Sequence, residues 1–366
     1  MKKFPRVVWD PSRLLANAAF LDRLCHRQQD PVGWIPVTKV TCADPDIVDT
    51  LIRQGYQSFA DSRIENLRRI KQISPDCQTT LLRLPGLHEV AEVVRYADIS
   101  LVSEQDTIAA LQREAQRYDH RHKIILMIEL GDLREGVCTH QALEMGRFIL
   151  EQDHIEWLGI GTNLTCYGGV IPTADIMLEL TGLKARIENE LGHALTIVSG
   201  GNSSLLPLLL EHRLPPGINQ LRLGEALFFG RETAYGRHIA GMHEDIFRLE
   251  AEVIEVKEKP SLPRGPLGKN AFGETPVFRD RGIHTRAIIA LGEQDVPVAD
   301  LIPFDPDIAI LGGSSDHLIL DVTGCDIKVG DVLSFRLNYR ALLYAMTSGY
   351  VGKHKLTEAE TDACVS

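Results

Sequence analysis

Eight short apolar, β-branched runs separated by longer amphipathic segments fill the first two thirds of this chain, and that alternation constrains its fold more than any other feature. The runs are Trp34 to Thr38, Gln57 to Ala60, Thr79 to Leu84, Asp98 to Val102, Ile124 to Leu130, Trp157 to Gly161, Leu195 to Ser199 and Gln220 to Leu223. Helix signals lie between them. Asp44-Pro45 opens one segment ending near Gly55, Glu104 to Tyr118 makes another, and Pro172-Thr173 begins one that reaches Leu191-Gly192. Strands alternating with helices pair in parallel, so eight units over roughly 200 to 250 residues predict an α/β fold, a closed (β/α)8 TIM-like barrel. An open doubly wound sheet is the alternative.

After about Ile246 the rhythm changes to strand-like runs, Glu250 to Val256, Arg286 to Ile289, Ile308 to Leu311 and His317 to Val322, separated by turns rich in Pro and Gly. The expected organisation is a barrel over residues 1–245, whose first residues are free to pair elsewhere, then a mostly β C-terminal domain over 246–355. Residues 356–366 lack apolar periodicity and read as a disordered tail.

Composition narrows the partners. Lys and Arg number 39 against 50 Asp and Glu, a net charge of −11, which repels phosphate backbones and anionic lipid and mildly attracts small cations. Nucleic acid and membrane surfaces are therefore not expected partners. The seven cysteines show no C-x-x-C spacing and no matching His cluster, which fits free thiols in a reducing cytosol and no metal site. His120 and His122, flanking Arg121, read as solvated. The N-terminal apolar stretch is too brief for a signal peptide and no 18-residue apolar run exists, so the expected location is cytoplasmic.

In a barrel the chemistry sits where strands end. Lys39 closes the apolar run Trp34 to Val40, and an ammonium buried there is costly unless paired or modified; burial would favour covalent service to an aldehyde. The other reading is a lysine that snorkels into solvent. The seventh run leads into Gly200-Gly201-Asn202-Ser203-Ser204 and the eighth into Arg222-Leu223-Gly224-Glu225, the pair of loops where barrels commonly hold phosphate; taken alone, the first is equally a turn with a helix cap. Arg134, in Gly131 to Gly136, offers a fork for a carboxylate or forms a surface salt bridge. Asn163, in Thr162 to Gly169, stands where an amide can cover a ring.

These segments, with Thr38 to Ala43, Ala60 to Leu67, Leu81 to Pro85 and Ser314 to His317, span nearly the whole chain in order. They resemble the fold-type III pyridoxal phosphate enzymes, the alanine racemase superfamily, and more narrowly its ornithine racemase-like branch of amino-acid racemases. The resemblance implies Lys39 as the Schiff-base lysine and one catalytic base. It implies Ser203 and the backbone of Gly224 and Glu225 as the phosphate site, with Asn202 in support and Tyr350 nearby. Arg222 would meet the pyridine nitrogen and keep it unprotonated. Arg134 would meet the cofactor phenolate or the substrate carboxylate, Asn163 would lie beneath the ring, and Ser315 and Asp316 would meet the substrate carboxylate across a homodimer interface. Pyridoxal 5'-phosphate is the implied cofactor, and the substrate a small amino acid, with ornithine or another basic one favoured by the branch and the charge.

Departures from the pattern matter. Ala43 replaces a tyrosine and Met127 a lysine. The Tyr-Gly pair that supplies the second base appears only as Phe272-Gly273, and phenylalanine carries no proton. Cys166, His317 and Tyr339 are the candidates for that role. Other functions open to the superfamily are a non-catalytic cofactor carrier and an aldolase or dehydratase.

Overall fold

The computed structural model describes residues 4–270, 272–357, 359 and 360. It divides into two units, one of Ser12–Glu244 and one that joins the chain start through Pro11 to everything from Asp245 onwards.

The chain opens with β1 (Arg6–Trp9), which belongs to the second unit. The first unit holds β2 (Gly33–Pro36), β3 (Ser58–Asp61), β4 (Gln78–Leu81), β5 (Ile99–Val102), β6 (His122–Glu129), β7 (Val137–Cys138), β8 (Ile155–Gly161), β9 (Ile197–Ser199) and β10 (Gln220–Leu223). Pairing is parallel throughout, in the order β2-β10-β9-β8-β6-β5-β4-β3. The two ends of that order meet through a single bridge, Val37 to Ala60, with Thr38 donating to the Ala60 carbonyl at 3.0 Å. Eight strands thus make a nearly closed barrel, and all eight correspond to the apolar runs.

These strands form because covered parallel strands need apolar residues on both faces, as in the wholly buried Ile99-Ser100-Leu101-Val102 of β5. Alternate residues Ile99, Leu101, Ile125 and Met127 pack into one cluster against Leu82, Leu158 and Ile197, and fill the barrel. Helices return the chain between strands. Asp44 caps Pro45–Arg53 by accepting from the N–H groups of Asp46 and Ile47; Thr173 caps Ala174–Leu191, which ends at Gly192 with φ 66°.

β7 is a ninth strand that no apolar run announced. It pairs with the end of β6, Ile128 to Val137 and Glu129 to Cys138. Gly136 makes the fold-back possible: its φ is 132°, and a Cβ there would stand 2.5 Å from the Glu129 nitrogen.

The second unit is mostly antiparallel: β11 (Phe247–Pro260), β12 (Ile283–Ile289), β13 (Leu301–Pro303), β14 (Ala309–Gly313), β15 (Leu318–Asp321), β16 (Val332–Leu337) and β17 (Gly352–Lys355). Its order is β13-β16-β11-β12-β15-β14, with β1 antiparallel to β11 and parallel to β17. Arg6 on β1 donates two hydrogen bonds to Glu250 on β11, at 2.9 and 2.7 Å, and both side chains are largely buried. Leu356, first residue of the stretch read as a tail, is buried and donates to the Trp9 carbonyl at 3.0 Å. Of that stretch, residues 358 and 361–366 lie outside the described residues.

Candidate active site

Lys39 is not on a buried strand. β2 stops at Pro36, and Lys39 opens a 3-10 turn, Lys39–Thr41, with its side chain exposed. The apolar run continues past the last ladder bond because Val37, Val40 and Thr41 are buried around the turn. The chain leaves it through two non-glycine residues of positive φ, Cys42 (51°) and Ala43 (46°), held by hydrogen bonds from Cys42 N–H to Lys39 and from Ala43 N–H to Thr38. Arg69 donates to the Cys42 carbonyl.

Asp61, at the end of β3, anchors this turn. Its carboxylate accepts from Thr38 Oγ1 at 2.7 Å, Asn66 Nδ2 at 3.0 Å and the Arg63 N–H at 3.0 Å. Burial pushes the Asp61 carboxyl up, against the pull of those hydrogen bonds. A short polar-rich motif, Asp61-Ser62-Arg63 with Asn66, was the only signal for it in the sequence.

The loops after β9 and β10 lie side by side. Asn202 caps the turn Ser203–Leu205 by accepting from the Ser204 N–H at 2.8 Å. Its Nδ2 donates to Asn163 Oδ1 at 3.1 Å, to the Leu164 carbonyl at 3.0 Å and to Cys166 Sγ at 3.4 Å. Ser203 Oγ accepts from the Ala226 N–H at 3.1 Å, tying this turn to the start of Glu225–Phe229. Asn163 Nδ2 is buried and has no hydrogen-bond partner. Burial pushes the Glu225 carboxyl up while the charges of Arg231 and Lys39 pull it down, so Lys39 acts electrostatically on these loops.

Arg222 points from β10 into the barrel, 4% exposed. It donates to Ser199 Oγ and, at 2.8 Å, to the Thr162 carbonyl. Burial lowers its guanidinium to about 10; the negative charge of Glu135 opposes that fall, the like charge of Arg134 adds to it, and Cys166 is close enough to interact. These four side chains therefore share one electrostatic neighbourhood.

Arg134 is exposed, and its fork already holds a carboxylate: Nε and Nη2 donate to the two oxygens of Glu135, the second at 2.6 Å. Asp132, 1% exposed, staples this loop to the one after β8 by accepting from the N–H groups of Cys166 (3.2 Å), Tyr167 (2.9 Å) and Val170 (3.4 Å). Gly168 donates to the Asp132 carbonyl at 3.0 Å, and a Cβ at Gly168 would meet that oxygen at 2.7 Å. Asp132 and Glu135 carry much of this geometry, and the sequence had marked only the arginine between them.

The remaining named residues belong to the β unit. Ser315, Asp316 and His317 form the tip between β14 and β15. His317 Nδ1 lies 2.9 Å from Asp316 Oδ1, and Glu293 and Gln294 donate to the Ser314 and Ser315 carbonyls at 2.9 Å each. Tyr350 is exposed, and its N–H donates to Ser348 Oγ at 3.2 Å. Ser348 in turn bonds Asp295, whose carboxyl is raised first by burial and then by Asp316, so tip and tyrosine share a neighbour. Tyr339 begins the helix Tyr339–Thr347, away from the tip in sequence. Phe272 lies exposed in the long loop between β11 and β12, its N–H on Asn270 Oδ1.

The model of the alanine racemase N-terminal domain matches residues 9–232, and the chain belongs to that family. It is 45% identical to an ornithine racemase of Acetoanaerobium sticklandii over 96% of this chain and 100% of that one. To a lysine racemase of Thermotoga maritima it is 42% identical over 96% of this chain and 98% of the other. The solved structure of an alanine racemase from Bartonella henselae, described with covalently bound pyridoxal phosphate, superposes with a TM-score of 0.72 at 19% identity, covering 96% of this chain and 99% of its own. That last likeness is one of fold.

Proposed function

We propose that this chain is a pyridoxal phosphate-dependent amino-acid racemase that interconverts the L and D forms of ornithine or another basic amino acid. The observation that carries this reading is the end-to-end likeness to two racemases named for basic amino acids. The residues present suit the cofactor: an exposed amine at Lys39, a buried Asn163 amide without an acceptor, a capped glycine loop and a buried guanidinium stand at one end of the barrel. When bound, the cofactor supplies an aldehyde for an amine and an electron-withdrawing ring that acidifies the Cα–H of an attached amino acid.

The chain's own part is attachment, orientation and proton traffic. Lys39 Nζ is the attachment point and the proton carrier on one face of Cα. Ser203 and the backbone of Gly224 and Glu225 hold the phosphate, with Asn202 fixing the loop and Tyr350 assisting. Arg222 would meet the pyridine nitrogen; even lowered to about 10 it stays a cation at neutral pH, so it would donate a hydrogen bond and withhold the proton. Asn163 offers its free N–H to the ring. Arg134 serves the phenolate or the substrate carboxylate from the edge that Glu135 leaves open, and Ser315 and Asp316 of the partner subunit serve the same carboxylate across the dimer interface.

Racemisation needs a second carrier on the opposite face. Of Cys166, His317 and Tyr339, Cys166 is favoured because its sulfur accepts from Asn202 and it lies within electrostatic reach of both Arg134 and Arg222. The working form in this reading is a cytoplasmic homodimer with shared sites. The six cysteines among the described residues form no disulfide, and no helix there is long and apolar enough to cross a membrane.

The test is to incubate the cofactor-loaded protein with L-ornithine, L-lysine and L-alanine in deuterated water, following Cα exchange and chirality. Exchange with formation of the D form, fastest for the basic substrates, is expected. Cofactor uptake without exchange on any amino acid would make the chain a carrier instead.

A further inference from the structure

An arginine at a ligand site is specific only when something holds it, because its stem carries about 2 kcal/mol of rotamer entropy. Arg134 has such a holder in its own neighbour. Adjacent residues do not face each other on a helix or strand, but here Leu133, at φ 57°, and Gly136, at φ 132°, bend the loop enough for Glu135 to turn back on Arg134. The contact is two-point, and the Glu135 side chain is only 13% exposed against 43% for Arg134, which sets it apart from an ordinary surface pair.

Resting on the function proposed above, we infer that Glu135 is a positioning residue: it clamps the Nε–Nη2 side of Arg134, leaves the Nη1 side to meet an anionic group of the ligand, and supplies a negative charge that acts on two site guanidinia. The second guanidinium is Arg222, buried and bonded only to a hydroxyl and a carbonyl. Without Glu135 the fork loses its two-point partner, Asp132 acting on Arg134 only through its charge, and Arg134 is free to swing into solvent. The electrostatics agree: hydrogen bonding to Glu135 is the largest influence raising Arg134, and the same carboxylate supports the ionised form of Arg222.

The experiment is a double-mutant cycle of E135Q, R134A and the pair. It reads the dissociation constant for pyridoxal phosphate by tryptophan quenching, the visible absorption band of the bound cofactor, and kcat and KM separately. E135Q should lower kcat/KM about tenfold to a hundredfold and alter the band, while apo-protein melting stays put. E135D, which keeps the charge, should recover part of the loss, and in the R134A background E135Q should change nothing beyond twofold. An unaltered E135Q in a cofactor-loaded wild-type background, or an undiminished E135Q effect in R134A, overturns this inference alone. Failure of the wild-type chain to take up the cofactor would overturn the proposed function and this inference with it.

Discussion

The two ends of β6 sit in opposite surroundings. At its start, His122 is 1% exposed, its Nε2 lies 2.8 Å from Ser100 Oγ, and its Nδ1 has no partner. Burial drives that imidazole down to about 4, so it is neutral and structural. At its far end the same strand runs into Asp132, Arg134 and Glu135, where the Glu135 carboxylate holds the exposed Arg134 and the buried Asp132 carboxylate holds backbone N–H groups of the neighbouring loop. One strand therefore anchors the barrel at one end and equips it at the other, and damage to the two ends should read out differently.

The largest effect belongs to the equipped end. Lys39→Ala should abolish Cα exchange and the cofactor's visible band while leaving the melting temperature of the apo-protein unchanged, since the side chain is exposed; circular dichroism and absorbance check both halves. Next, Cys166→Ala should slow exchange by about 10² to 10⁴-fold from one enantiomer and spare it from the other, measured separately on L- and D-ornithine. Equal loss from both would move the second carrier to His317 or Tyr339.

Asp132→Ala removes the acceptor for three N–H groups of the neighbouring loop. It should lower kcat/KM about tenfold to a hundredfold and also the melting temperature. The smallest effect on activity is expected at the anchoring end. His122→Gln should stay within twofold of wild type in exchange rate but change the response to acid. His122 titrates at about 4 when folded against 6.5 ordinarily, so its contribution is complete above about pH 6.5 and is lost as pH falls towards 4. The loss amounts to about 3 kcal/mol, which denaturant titrations at pH 7 and 4 would show in the wild type and not in the variant.

That histidine also marks what the chain's letters conceal. His120-Arg121-His122 reads as a solvated cluster, yet β6 begins at His122 and strand alternation puts it on the buried face that Ser100 shares, opposite the one that fills the barrel. The eight barrel strands were legible because two-sided burial writes an apolar run, and the glycine loops after β9 and β10 because caps and turns have fixed residue preferences. The sequence leaves Lys39 open between a buried strand end and a solvent-facing side chain, because apolar packing around a 3-10 turn looks the same in sequence as the end of a strand; the side chain is exposed. β7 is two residues long, too short for a pattern to show, and β17, Gly352–Lys355, has no apolar residue to announce it. The Arg134–Glu135 clamp depends on backbone angles at Leu133, a residue with no turn signature of its own.

The central claim is tested most directly by reducing the cofactor-loaded protein with borohydride, digesting it and mapping the modified peptide by mass. The account predicts the pyridoxyl mass on the peptide that contains Lys39 and on no other. The mass on a different lysine, or on none, would contradict it.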